Sequence, residues 1–320
     1  MRLFLRRPRF SSRWSVSLIV TAVVVAVAAG VWWTVVPPRP VDGYALAAPR
    51  LTVPHLPWPG EGQASVEVEG LGPLGTSGTQ EPVPIASVTK VMTAYVVLKD
   101  HPLAEEEPGP EITVDQRAET ESYSREEASA PVRAGQRLSL RRLLELMLVP
   151  SGGNVARLLA RWDAGSEEAF VVKMNRAAAA LGMTRTTYTG ASGVEDSTTS
   201  TSADQLALAR AAMRESAIRS VVAMRSVRGE GGSGTLTTTN TLLGRNGVIG
   251  LKTGATTAAG GALMWAAEAD GGAGKRLVLG VVLHQNPGGT PEAGLATALA
   301  VSERLITAIG ERLPGIAPAR

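Results

Sequence analysis

Two stretches that read as strands of one sheet stand at opposite ends of the chain, and this limits how it can fold. Ala64–Glu69 (ASVEVE) alternates apolar and polar residues, the period of a strand with one face covered. Arg276–His284 (RLVLGVVLH) is the strongest strand signal in the chain, and Ile249–Gly254 and Gly261–Ala267 read as strands shortly before it. Between these ends the pattern is helical. Leu140, Leu143, Leu144, Met147 and Leu148 recur at intervals of three and four after Ser139, which places one apolar face on a helix. Further helices are expected from about Asn154 to Trp162, over Glu167–Leu181, and over Ala203–Arg214 with Ser202 as its cap; Thr290–Leu313 closes the chain with a long one. A strand, a helix-rich middle, then strands and a last helix predict one sheet covered by helices, with a helical subdomain over about 115–225. Gly70–Gly78 reads as a break and turn, Ile112–Val114 as a short strand, 116–130 as a charged surface excursion, and Pro131–Arg133 as a returning strand.

The first forty residues carry a separate signal. Arginines stand at 2, 6, 7, 9 and 13, and Val16–Val36 then runs without a charge. Such a run is long enough to cross a bilayer core of about 30 Å as a helix. Basic flanks stay on the cytoplasmic side, so the body of the chain is expected outside. Trp32 and Trp33 fall where an interfacial aromatic belt would stand. Ala26-Val27-Ala28 has the small-x-small form of a cleavage site, but a cut there would fall inside the apolar run, so a retained anchor is expected. The expected organisation is a basic cytoplasmic tail (1–15), an anchor (16–36), a Pro-rich tether (37–60), one domain (61–313) and a short tail (314–320). Five of the positive charges behind the net +3 belong to the basic tail, so the remainder is slightly acidic and gives no electrostatic case for nucleic acid. Cysteine is absent, and His55, His101 and His284 have no ligand spacing, so neither a thiolate nor a histidine metal centre is expected.

The chemistry gathers around Ser87 and Lys90 in Pro84–Tyr95 (PIASVTKVMTAY). On a helix, residues three apart share a face, with Cβ atoms about 5–6 Å apart. The amine of Lys90 can therefore reach the hydroxyl of Ser87, and a partly desolvated lysine can take a serine proton. A helix cap or a solvated face would carry the same pair. Two other stretches make it specific: Ser151-Gly152-Gly153-Asn154 between two helices, and Lys252-Thr253-Gly254 at a strand.

In that order, with the flanking PIASVTKVMTAYVVL and IGLKTGATTAAGGALMWAA, these stretches resemble the low-molecular-mass penicillin-binding proteins, the D-alanyl-D-alanine carboxypeptidases of serine peptidase family S11. The loop and helix MTRTTYTGASGVEDSTTSTSADQLALA resemble the family's as well, so the likeness covers roughly 60–309. It implies a β-lactamase/transpeptidase-like α+β fold, an antiparallel sheet flanked by helices. It further implies Ser87 as nucleophile, Lys90 as its base, Ser151 as a proton carrier to the leaving amine, and Lys252 with Thr253 as the site for the substrate carboxylate. Gly254 would let the strand edge approach the peptide, and the N–H groups of Ser87 and Ala255 would form the oxyanion hole. The implied partners are the peptidoglycan stem peptide ending in D-Ala-D-Ala and β-lactams as covalent inhibitors, with no cofactor.

One position departs from the family. Its second motif is Ser-x-Asn, whose asparagine contacts the lysine and the substrate amide; here Gly153 stands third and the asparagine follows at Asn154. Asn154 is either only the residue that follows the motif or, since two adjacent glycines permit a shifted loop, turned inward to the substrate, where it is named as a binding residue. Two rival readings use the same residues. A β-lactamase would need a deacylating carboxylate, for which Glu167 and Glu168 are candidates although they suit a helix start. A catalytically impaired peptide-binding protein would follow if Gly153 abolishes turnover.

Overall fold

The computed structural model describes residues 56–272 and 274–315. The basic tail, the anchor, most of the tether, His55 and the last five residues lie outside them. Five strands form the main sheet, numbered here β1 (Gln63–Val68), β2 (Gly72–Ser77), β3 (Val248–Thr256), β4 (Gly260–Asp270) and β5 (Lys275–Gln285). Their order across the sheet is β2-β1-β5-β4-β3, antiparallel throughout. The two ends of the sequence thus meet at the centre, with Ala64 opposite Val282.

Both faces of this sheet are covered, so alternate side chains enter different cores. On β4, Ala262, Met264 and Ala266 belong to the core shared with the helical middle of the chain, while Leu263, Trp265 and Ala267 belong to the core on the other face. On that other face lies α8 (Pro291–Arg312), which contributes Val301, Leu305, Ile306 and Ile309. By length and apolarity α8 would pass as a membrane span, yet it packs along the sheet. Trp265 is fully buried there, and an indole of its size removed from water contributes about 4–6 kcal/mol of transfer free energy. Its ring lies over Gly280, its cross-strand partner.

The other face carries α1 (Lys90–Asp100), α2 (Gln116–Glu121), α3 (Leu140–Leu148), α4 (Gly153–Ala164), α5 (Glu167–Ala180), α6 (Ser202–Ala212) and α7 (Ser216–Val222). Helix starts follow side-chain capping: Asp115, Ser139, Ser166, Thr201 and Thr290 each accept a hydrogen bond from the backbone N–H three residues on.

Several expectations need correction. Gly72–Ser77 is a strand rather than a turn. It pairs only with β1, and at that edge position Pro73 costs little and Gly75 lies against the ring of Trp58. The partner of Glu111–Thr113 is Arg137–Ser139 and not Pro131–Arg133. Within the expected surface excursion stands α2, capped by Asp115 and carrying the Arg117–Glu121 pair one turn apart. Thr201 caps α6, while the hydroxyl of Ser202 is bonded to that of Ser65 on β1. Leu56 is buried in the α8-side core with Trp58 packed beside it, so the tether gives way to the folded body before residue 60.

A methyl group on Gly280 would stand 2.1 Å from the indole of Trp265. Gly280→Ala is expected to lower unfolding free energy by about 1–3 kcal/mol, measured by chemical denaturation. An unchanged denaturation midpoint would mean that the ring is free to move aside.

Candidate active site

Ser87 sits in a 3-10 turn, Ala86–Thr89, that runs directly into α1. Ala86 takes the left-handed conformation (φ 46°), which is uncommon for a side-chain-bearing residue and marks a turn held by its surroundings. The Nζ of Lys90 donates to Ser87 Oγ at 2.8 Å and to the carbonyl of Ser192 at 2.7 Å. Thr93, one turn further along α1, donates to the carbonyl of Ala191 at 2.7 Å. The loop at 191–193 is thus fastened along the helix that follows Ser87. Gly193 fits only as glycine, since a Cβ there would strike the carbonyl of Ala86.

Lys90 is 1% exposed. Burial lowers its pKa from the ordinary value near 10.5 to about 8, even though Glu127 pulls in the opposite direction. Arg157 lowers it further and Glu195 raises it. A base with a pKa near 8 has a substantial neutral fraction at physiological pH and can accept the proton of Ser87.

Lys252 reaches the site because strand periodicity is two. Lys252 and Gly254 lie opposite Met264 and Ala262, on the sheet face toward the helices. Lys252 is 2% exposed, donates to the carbonyl of Thr253 at 3.0 Å, and has its pKa held well below the ordinary value by burial and by the charge of Lys90. Gly254 has a role the sequence did not disclose. A Cβ there would stand 3.0 Å from the backbone N of Ser87 and 3.0 Å from the carbonyl of Ile85, so the missing side chain lets β3 press against the nucleophile turn. Thr253 shares a short hydrogen bond with the hydroxyl of Thr239.

These groups open onto a cleft of about 470 Å³. Ser87, Ser151, Thr253, Gly254 and Ala255 line it, with Thr239, Glu127 and Val194 among the other walls. Ser151 is held with φ 69°, a second strained non-glycine residue in the site. Because β3 is the edge of the main sheet, its outer side can pair with an extended peptide.

Asn154 does not reach the cleft. It is fully buried at the start of α4, accepts from the N–H of Ala130 at 2.9 Å, and donates to the carbonyls of Ala130 (2.8 Å) and Ala118 (3.1 Å). It is a clamp on the segment 118–130, and its expected place at the substrate is corrected here. Glu167 and Glu168 stand at the start of α5, where Glu167 is paired with Arg161 and Arg117. Neither lines the cleft. His101 lies against Trp162 and beside Asp163, and His284 near the carbonyl of Ala259.

Two residues of the site were not legible beforehand. Glu127 comes from the segment that Asn154 clamps, and its carboxylate lies where a side chain at 153 would begin. Arg157 on α4 bonds Glu127, Glu121 and the hydroxyl of Ser192.

A serine bonded to a buried lysine, at the head of a helix and beside an edge strand with a second buried lysine, defines a serine acyl-transfer site. The family model of the D-alanyl-D-alanine carboxypeptidases, peptidase family S11, matches residues 74–286, and the chain belongs to this family. Among curated relatives, a D-alanyl-D-alanine endopeptidase of Pseudomonas aeruginosa is 40% identical over 124 residues, 38% of this chain and 37% of that protein. A D-alanyl-D-alanine carboxypeptidase of Streptomyces sp. strain K15 is 32% identical over 213 residues, 62% of this chain and 71% of that protein. The crystal structure of the Streptomyces K15 DD-transpeptidase superposes with a TM-score of 0.65 at 26% identity, covering 77% of this chain and 95% of that one. The match thus spans little more than a third of the Pseudomonas relative.

Asn154→Ala would leave the buried N–H and carbonyl of Ala130 without partners, while the Ala118 carbonyl keeps the N–H of Ser122. A loss of stability on the order of 2–4 kcal/mol is expected by denaturation, with the affinity for substrate little changed. A raised KM at unchanged stability would return Asn154 to the substrate. Separately, Ser87 acylation should accelerate as pH rises through about 8, because the protonated form of Lys90 cannot accept a proton and its pKa is lowered to about 8. A rate that is flat with pH across that range would remove Lys90 as the base.

Proposed function

We propose that the protein is a serine-type D-alanyl-D-alanine carboxypeptidase that removes the terminal D-alanine of peptidoglycan stem peptides. The observation that carries this reading is the 2.8 Å contact from Lys90 to Ser87 at the floor of a cleft edged by β3. Ser87 Oγ attacks the carbonyl of the penultimate D-alanine while its proton passes to neutral Lys90. The N–H groups of Ser87 and Ala255 take the developing oxyanion, and losing one such donor typically costs about 3–4 kcal/mol of transition-state stabilisation. The C–N bond then breaks, and the leaving amine receives a proton through Ser151. Thr253 binds the substrate carboxylate, with Lys252 behind it as a source of positive potential. Water finally hydrolyses the acyl-enzyme and restores Ser87. An amine in place of water would give transpeptidation, and acylation by a cross-linked peptide followed by hydrolysis would be endopeptidase action, which matches the range of names among the relatives.

The same reading places the domain on the outer face of the cytoplasmic membrane, held by residues 16–36. Its support is the uncharged run behind five arginines and a substrate that lies in the wall. β-Lactams, which resemble the end of the stem peptide, acylate the same serine.

Intact mass of the full chain after incubation with benzylpenicillin should increase by one drug molecule, and Ser87→Ala should abolish the increase. Release of D-alanine from a peptide ending in D-Ala-D-Ala should depend on the same serine. Absence of both adduct and drug turnover would sink the mechanism, while turnover too fast to trap an adduct would point to a β-lactamase.

A further inference from the structure

The second motif of this chain lacks a side chain at its third position, yet the space is not vacant. An ideal Cβ on Gly153 would stand 2.1 Å from Oε2 and 2.7 Å from Oε1 of Glu127. The carboxylate therefore fills the volume into which a residue at 153 would project.

This placement is built into the fold. The segment bearing Glu127 runs against the motif itself: Gly153 N–H donates to the carbonyl of Ala128 at 2.9 Å, and Asn154 bonds both backbone groups of Ala130. A side chain at Gly152 would meet the carbonyl of Leu146 at 2.7 Å and the methyl of Ala130 at 3.0 Å, whereas one at Gly153 would first meet the Glu127 carboxylate. Glu127 is 12% exposed, lines the cleft with Ser87 and Ser151, and is bonded to Arg157 from below. Arg157 keeps two other partners, Glu121 and Ser192, and is not held by Glu127 alone.

We propose that Glu127 takes over the place of the missing motif side chain and serves as counter-ion to the ammonium of Lys90 formed on acylation. When Ser87 Oγ bonds to the carbonyl carbon, its proton moves to Lys90 Nζ and a new positive charge appears beside Arg157 and Lys252. An asparagine at 153 would offer that charge only a dipole; a carboxylate offers a full opposite charge to a lysine that is almost wholly buried. Among the charged groups around Lys90, Glu127 favours its protonated form most strongly, with Glu195 adding to it and Arg157 opposing. Glu127 is thus a positioning residue that acts through Lys90, and it forms no bond to substrate in this scheme.

The proposal rests on acylation of Ser87, and the experiment separates the two. The rate of benzylpenicillin adduct formation on the full chain is followed by mass across pH for wild type, Glu127→Gln, Glu127→Ala, Gly153→Asn and the double variant Glu127→Ala/Gly153→Asn. Glu127→Gln keeps the shape and a bond to Arg157. It is expected to slow acylation about ten- to a hundredfold and to move the midpoint of the pH profile to lower pH, because the ammonium of Lys90 loses its counter-charge. Gly153→Asn should also slow acylation, since its side chain and the Glu127 carboxylate claim one space. The double variant should be faster than either single one. A Glu127→Gln protein with wild-type rate and midpoint, or a double variant whose loss is the product of the two single losses, would overturn the proposal and leave the acylation mechanism standing. A wild-type chain that forms no Ser87 adduct would overturn both.

Discussion

The hydrogen bond from Lys90 to Ser87 exists because a lysine amine has been buried and then supplied with neutral and charged partners in careful balance. Left to burial alone, an ammonium in this position would be strongly destabilised, and a fully paired one would be too weak a base. The carbonyl of Ser192 orients the amine without adding charge, Glu127 and Glu195 add negative potential, and Arg157 adds positive potential. The result is a lysine that is poised near neutrality. Most of the surrounding structure can be read as the means of holding these groups together. The 191–193 loop is fastened to α1, α4 delivers Arg157, and β3 is brought into contact with the Ser87 turn at Gly254.

The glycines of the site act as spacing elements more than as hinges. Gly254, Gly193 and Gly153 each stand where a Cβ would collide with another part of the machinery: the Ser87 turn, the Ala86 carbonyl and the Glu127 carboxylate. Two separate stretches of chain, at Gly254 and Gly193, therefore approach the Ser87 turn more closely than residues with side chains would allow, and Gly153 leaves room for Glu127. The strained conformations of Ala86 and Ser151 fit the same picture, since strain persists only where the neighbours over-determine the backbone.

How much of this was legible depended on whether the signal was local. Ser87 and Lys90 are one helical turn apart, Lys252 and Gly254 share a strand face, and both relations follow from periodicity. The sheet was legible at β1 by alternation, at β4 and β5 by apolar runs and at β3 beside them, and not at β2, whose glycines and proline read as a turn and whose strand exists only through its neighbour. Glu127 sits in a charged, weakly patterned segment, and no local pattern distinguishes it from a solvated glutamate; its position is set by the clamp at Asn154 on another helix. Asn154 was misplaced for a related reason. Its position beside the motif is visible in sequence, but the three backbone groups it satisfies belong to residues 24 and 36 positions earlier.

The central pairing of β1 with β5 also orders events in time. Contacts between distant parts of a chain form slowly, because a long loop must close before they repay its entropy. Val66 cannot find Gly280, nor Ser87 the strand carrying Lys252, until the last third of the chain has emerged from whatever machine delivers it. A chain threaded across a membrane from its N-terminus would thus carry an unarmed serine throughout its passage, and the nucleophile would become reactive only once the whole body stood on the far side.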